Sequence, residues 1–183
     1  MRPRHNLDTV AEAALGIVDE HGSGALTLSA VAERLGIRTP SLYAHVTSLA
    51  ALTTHVTARI YADLAGHLGS SAVGLSGGEA IRAFMREYRA FATQWPNRYR
   101  MLPAQPADNP AFSEPADQLL DTMMRTLRGF GLPDAELVHA ARRVRTCADG
   151  FCLLEVNRGF GLDADLDESY EKIIDMVVAS LEP

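Results

Sequence analysis

Apolar residues recur along this chain at intervals of three and four, and no segment alternates apolar and polar positions for long between turn residues. That pattern predicts an all-α fold. A first helix is expected over residues 9–21, with Asp8 as its cap, Val10, Ala14, Ile17 and Val18 on one face and Gly22 as its stop. A second opens after Thr27, because Leu28, Val31, Ala32 and Leu35 hold the i, i+3, i+4, i+7 positions of a buried stripe, and Gly36 ends it. Thr39 then caps a third helix with Pro40 at its first position, where a missing amide hydrogen costs nothing. Ser48 caps a fourth, whose Leu49, Leu52, Val56, Ile60 and Leu64 continue one apolar face to Leu68.

The small, flexible stretch GSSAVGLSGG, residues 69–78, reads as a joint and places the domain boundary between a head, 1–68, and a body, 69–183. In the body, helices are expected over 79–95, 97–102, 116–130 and 134–158, with an irregular loop at 105–117. A final helix capped by Asp167 runs to Leu181.

With 183 residues, 47% of them apolar and 22% charged, the chain has the makings of an ordinary globular protein. No run approaches the roughly 20 apolar residues of a membrane span, and the N-terminal residues lack the apolar centre of a signal peptide. The cytoplasm is the expected location. Cys147 and Cys152 form neither a C-x-x-C pair nor part of a histidine cluster, so they are read as small buried apolar residues. No metal and no cofactor are expected. The formal charge of −6 argues against a general polyanion binder, but it is unevenly placed. Up to residue 60, Arg2, Arg4, Arg34, Arg38 and Arg59 balance Asp8, Glu12, Asp19, Glu20 and Glu33, so the whole deficit lies in the remainder. A neutral head on an acidic body suits a protein that touches nucleic acid at one end.

Residues 27–46, TLSAVAERLGIRTPSLYAHV, carry the candidate chemistry. Two short helix signals around one glycine suit an element that enters the major groove and presents short polar side chains to base edges. Thr39, Pro40, Ser41 and Ala44 would form the outer face and Leu42 the inward anchor. Tyr43 and His45 could donate to phosphate oxygens. The same spacing also allows a helical hairpin that merely packs, with Tyr43 half-buried.

The segment LTLSAVAERLGIRTPSLYAHV resembles the DNA-binding head of the TetR family of bacterial repressors, with Thr27, Leu35, Gly36, Pro40, Leu42, Tyr43, His45 and Leu52 in register over residues 8–68. The resemblance implies that Thr27, Tyr43 and His45 grip phosphates while Ser29, Thr39, Pro40, Ser41 and Ala44 face bases, with Arg38 and Ser48 alongside. Where many members place a phosphate-binding lysine at the start of the fourth helix, this chain has Leu49. Arg2, Arg4 and Arg38 could compensate, the first two as a basic arm reaching the minor groove.

The body resembles, more loosely, the regulatory region of one TetR subgroup through YRAFATQWPNRYRML and ADGFCLLE, although Asp149-Gly150 stands where that subgroup often has His-Gly. Aromatic and methionine stripes at helical spacing, Phe84, Met85, Tyr88, Phe91 and Trp95 on one helix and Met123, Met124, Leu127 and Phe130 on another, read either as plain core or as a cavity wall. A mismatch in bulk against Ala140, Ala141, Ala148 and Gly150 favours a cavity. Phe84, Tyr88, Phe91, Met101, Met123, Leu127, Arg143, Cys147 and Phe151 are the candidate ligand-binding residues, with Arg143, Asp149 and Tyr88 as polar anchors for a small, largely apolar effector. Arg82, Arg86 and Arg89 read as a solvated face.

Reading a palindromic duplex operator requires twofold symmetry, so a homodimer is expected through the last two helices. Val144, Ala148, Phe151 and Leu154 on one and Tyr170, Ile173, Ile174, Val177 and Leu181 on the other supply the apolar faces, unless these bury within the same chain. The expected function is a DNA-binding transcriptional regulator, a repressor released by a small effector. Two alternatives stay open: a helical binding or interaction protein without DNA affinity, and a metal-dependent helical enzyme. The latter draws on the E-x-x-H spacing of Glu136 and His139, but the chain has no second copy of that pair and no enzyme activity is expected.

Overall fold

The computed structural model describes residues 6–102 and 110–182, and among these every regular element is helical. The proposed basic arm, Arg2 and Arg4, and most of the loop following Leu102 lie outside the described residues. The helices are α1 (Leu7–His21), α2 (Leu28–Arg34), α3 (Thr39–Leu42), α4 (Leu49–Ser71), α5 (Gly77–Gln94), α6 (Pro96–Tyr99), α7 (Ser113–Arg128), α8 (Asp134–Val156) and α9 (Leu166–Ala179).

Two compact units emerge, the first from Met1–Ala62 and Trp95–Glu114, the second from Asp63–Gln94 and Pro115–Pro183. This division differs from a cut after Leu68. Helix α4 runs unbroken through the expected joint as far as Ser71, and α5 begins at Gly77, so only residues 72–76 remain between them. The chain also returns to the first unit at Trp95. There Arg98 donates to both carboxylate oxygens of Asp19 at 2.7 Å, and Asn97 Nδ2 donates to the Asp19 carbonyl at 3.1 Å. Phe112 packs on Tyr61 with ring centroids 5.9 Å apart. Residue patterns within single helices cannot reveal such a return.

The first unit is built on α1, whose cap is Asn6 rather than Asp8. The Asn6 side chain accepts from the Thr9 amide at 2.9 Å while Thr9 Oγ1 accepts from the Asn6 amide at 2.9 Å, and Asp8 sits in the first turn, where its charge favours the positive helix end. Val10, Ala14 and Val18 of α1 are fully buried together with Val31, Leu42, Leu52 and Val56. Each fully buried valine or leucine contributes about 1.5–3 kcal/mol.

The second unit is held by α5 packed on α8 and α9. Phe84, Met85, Tyr88 and Phe91 are buried, and the Tyr170 hydroxyl donates to the Met85 carbonyl at 2.8 Å. Arg82, Arg86 and Arg89 are not a freely solvated face. Arg82 pairs with Asp175 and Arg86 with Glu171, while Arg89 donates to both oxygens of Glu155 at 2.7 Å and reaches Asp167 at 2.7 Å. Its guanidinium also lies 5.5 Å from the Phe151 ring centre and 5.2 Å from that of Tyr170. One arginine thus ties α5 to α8 and to the start of α9.

The final helix is capped by Asp165, whose side chain accepts from the amides of Asp167 and Glu168. The expected loop at 105–117 turns helical earlier than proposed, because Ser113 opens α7. Of the residues expected to form a dimer face, Val144, Ala148, Phe151, Tyr170, Ile174, Val177 and Leu181 are buried by their own chain. Leu154 is exposed and Ile173 half-buried. The stripes that looked free in isolation cover one another and α5.

Candidate nucleic-acid interface

The element expected to read DNA is shorter than its sequence suggested, a single turn of helix, Thr39–Leu42, followed by a turn to Val46. Arg38 is its N-cap, so Thr39 lies inside the helix rather than capping it, and Pro40 remains in the first turn, where it lacks only an amide with no intrahelical acceptor. The Val46 amide bonds the Leu42 carbonyl at 2.9 Å, and the side chains of these two residues are buried, 0% and 5% exposed. They pin the turn from below. What remains outward is polar or small: Arg38, Pro40, Ser41 and Ala44 are exposed, Thr39 and His45 are half-buried, and Tyr43 is 57% exposed.

Helix α2 presents a second row. Thr27 caps it, its Oγ1 accepting from the Ala30 amide at 3.1 Å, which leaves the hydroxyl hydrogen free to donate elsewhere. Ser29 is exposed beside it. Ser48 plays the same part for α4, accepting from the Ala51 amide at 3.0 Å. The connection between α2 and α3 is a Schellman turn: Gly36 at φ 66 donates to Glu33, and the Ile37 amide reaches back to the Ala32 carbonyl at 3.0 Å. Only glycine takes that backbone cheaply, and the two hydrogen bonds set the direction in which α3 leaves α2. Leu49 is 37% exposed at the position where a lysine would have offered a cation.

The candidate ligand-binding residues divide between the two units. Met101 belongs to the first, whereas Phe84, Tyr88, Phe91, Met123, Leu127, Arg143, Cys147 and Phe151 belong to the second. Of the latter, the aromatic and apolar side chains are buried, while Arg143 and Cys147 are half-buried. Tyr88 and Asp149 do meet, the phenol donating to a carboxylate that Arg145 also bonds at 3.2 Å. Arg143 turns elsewhere, to Glu136 at 2.9 Å and the Ser180 carbonyl at 3.4 Å, so it does not join those two as an anchor. Burial pushes the Cys152 thiol up to about 12 and raises that of Cys147 as well. Glu136, weighed above only for its E-x-x-H spacing, is engaged by Arg143, and no group of three metal-binding side chains occurs among the described residues.

Sequence reasoning missed the ion pairs that hold the first unit together. Asp19 and Glu20 are adjacent in the last turn of α1, yet Asp19 binds Arg98 and Glu20 binds Arg34, and neither partner is at helical spacing from its carboxylate. The hydrogen bonds from Arg34 hold the Glu20 carboxyl below its ordinary range.

Comparison with known proteins agrees with this geometry. Residues 81–177, more than half of the chain, match the family model described as tetracyclin repressor-like, C-terminal domain. An uncharacterized HTH-type transcriptional regulator of Mycobacterium tuberculosis is 29% identical over 177 residues, which are 96% of this chain and 81% of that protein. A TetR transcriptional regulator from Streptomyces coelicolor superposes with a TM-score of 0.78 at 19% identity, covering 97% of this chain and 98% of that one. The TetR family protein ActR of the same organism, in complex with (S)-DNPA, gives 0.72 at 19% identity and covers 98% of each chain. The matched C-terminal region, together with an N-terminal hairpin of helix-turn-helix form, makes this chain a member of the TetR family of DNA-binding transcriptional regulators.

Proposed function

We propose that the chain acts as a homodimeric repressor that binds a palindromic duplex operator and is released from it by a small, largely apolar effector. DNA recognition is assigned to residues 1–68, with Thr27, Tyr43, His45, Arg38 and Ser48 on phosphates and Ser29, Thr39, Pro40, Ser41 and Ala44 toward bases. Effector binding and dimerisation are assigned to residues 69–183. The observation that carries the reading is the split of one turn between a buried Leu42 and an exposed Tyr43, 0% against 57%. A turn that merely packed would bury its largest side chain, not display it.

For the effector, the buried Phe84, Tyr88, Phe91, Met123, Leu127 and Phe151, with the half-buried Cys147, are the proposed site, and the complex of ActR with (S)-DNPA supports a small-molecule ligand for a chain of this fold. Because all of these but Cys147 are buried here, a ligand would act by selecting a conformation in which they part. Its differential affinity for that conformation sets how far operator affinity falls. Dimerisation is assigned to outward positions of α8 and α9, where Leu153, Leu154 and Met176 are 53%, 47% and 58% exposed. Regulation rather than catalysis is the role, and the cytoplasm its place; no helix of the described residues is long and apolar enough to cross a membrane.

The test compares two variants across a panel of operator duplexes. Tyr43→Phe, losing one phosphate donor, weakens binding to every sequence alike, whereas Ser41→Ala changes which sequence is preferred. Uniform weakening by Ser41→Ala would refute its assignment to bases.

A further inference from the structure

The Gly36 turn joins α2 to α3 through two backbone hydrogen bonds, but α2 is only 7 residues long and buries just Val31 and Ala32. While the buried Leu42 and Val46 anchor the α3 end of the hairpin, these two small apolar side chains give little hold within α2. At its far end from Thr27, Arg34 supplies a strut. The guanidinium donates from Nη1 to Glu20 Oε2 at 3.1 Å and from Nη2 to Glu20 Oε1, so both terminal nitrogens are spent on one carboxylate of α1. It reaches that carboxylate by lying across Gly16: a Cβ there would stand 3.0 Å from Arg34 Cζ, 3.1 Å from Nη2 and 3.4 Å from Nε. A glycine in mid-helix costs α1 about 1 kcal/mol relative to alanine, and its negative-φ backbone offers no conformational reason for it. Its bare face is the space Arg34 occupies.

We infer that Arg34, held by Glu20 over Gly16, is a positioning residue for DNA recognition: it fixes the angle of the recognition hairpin on α1 without itself touching DNA. The inference rests on the reading that this hairpin binds DNA. Filling the space where a Cβ would stand and gripping a carboxylate with two prongs is a geometry a planar guanidinium supports and an ammonium does not. A shift at Arg34 is carried along α2 to Thr27 and Ser29 and through the Gly36 turn to Ser41 and Tyr43. Each of those must meet its target within a few tenths of an ångström to bond well.

The experiment uses the full-length protein and the duplex that it selects from a random pool, and measures affinity as a function of salt alongside the melting temperature. Arg34→Met lowers affinity by roughly three- to thirtyfold, the range seen for residues that act without contacting the ligand, and leaves the slope of log affinity against log salt unchanged. Gly16→Ala, which lifts the guanidinium, lowers affinity in the same direction while the melting temperature stays level or rises, since alanine favours the helix. Exchange of the pair, Glu20→Arg with Arg34→Glu, recovers part of the affinity that Arg34→Met loses. A slope reduced by about two per dimer would show instead that Arg34 contacts phosphates, and overturns the inference. Wild-type affinity in Arg34→Met or in Gly16→Ala overturns it as well. Failure of the unmodified protein to select any duplex would count against DNA binding itself, a result distinct from these.

Discussion

Leu42 shows how much one side chain decides in a turn this short. It is the one residue of α3 buried outright, and Ser41 and Tyr43 on either side of it face outward. Leu42→Ala removes the anchor and leaves a cavity, at a cost of about 2–5 kcal/mol, read from chemical denaturation. Operator affinity falls with it, because the turn loses the support that aims its neighbours. The cysteines offer a second check. With the Cys152 thiol pushed up to about 12 by burial, almost none of it is thiolate at neutral pH, whereas Cys147 is half-buried. A thiol reagent at neutral pH labels Cys147 in the native protein and reaches Cys152 only on unfolding. Equal labelling of both under native conditions would contradict the packing of α8 described above.

Helix ends show where the sequence was readable and where it was not. Thr27 followed by an apolar stripe, and Gly36 after it, are local signals, and both ends of α2 lie where those residues put them. Asp8 and Asn6 both have capping side chains, and only the reciprocal bond with Thr9 separates them. Stripes on α8 and α9 were legible as apolar but not as to what covers them, since an exposed dimer face and a face packed on α5 have the same period. Arg89 was misread for a related reason: its partners Glu155 and Asp167 lie on other helices. The end of α8 carries an unusual choice. Arg158 takes the left-handed conformation, φ 55, in a Schellman turn whose Gly159 amide bonds the Leu154 carbonyl at 2.7 Å. An L side chain there costs about 1–2 kcal/mol, so Arg158→Gly raises stability by about 1 kcal/mol in equilibrium unfolding once the greater chain entropy of glycine is counted. A loss of stability would mean that the arginine makes a compensating bond.

At the scale of the whole molecule, charge limits how the protein can hold DNA. Arg34 and Arg59 are committed to Glu20 and Glu12, which leaves Arg38 exposed and Arg2 and Arg4 ahead of the described residues. Three such cations in each of two heads give at most about six phosphate neutralisations per dimer, so affinity falls with salt no more steeply than that number allows. A steeper decline would reveal cations drawn from elsewhere in the chain. The central claim, that the turn opening at Thr39 is an outward probe presented twice by a symmetric dimer, is tested most directly by sequencing the duplexes that the purified protein retains from a random pool. The account predicts an inverted repeat with half-site centres about 34–36 Å apart or a multiple of that spacing. Retention of a single unrepeated site, or no enrichment at all, would contradict it.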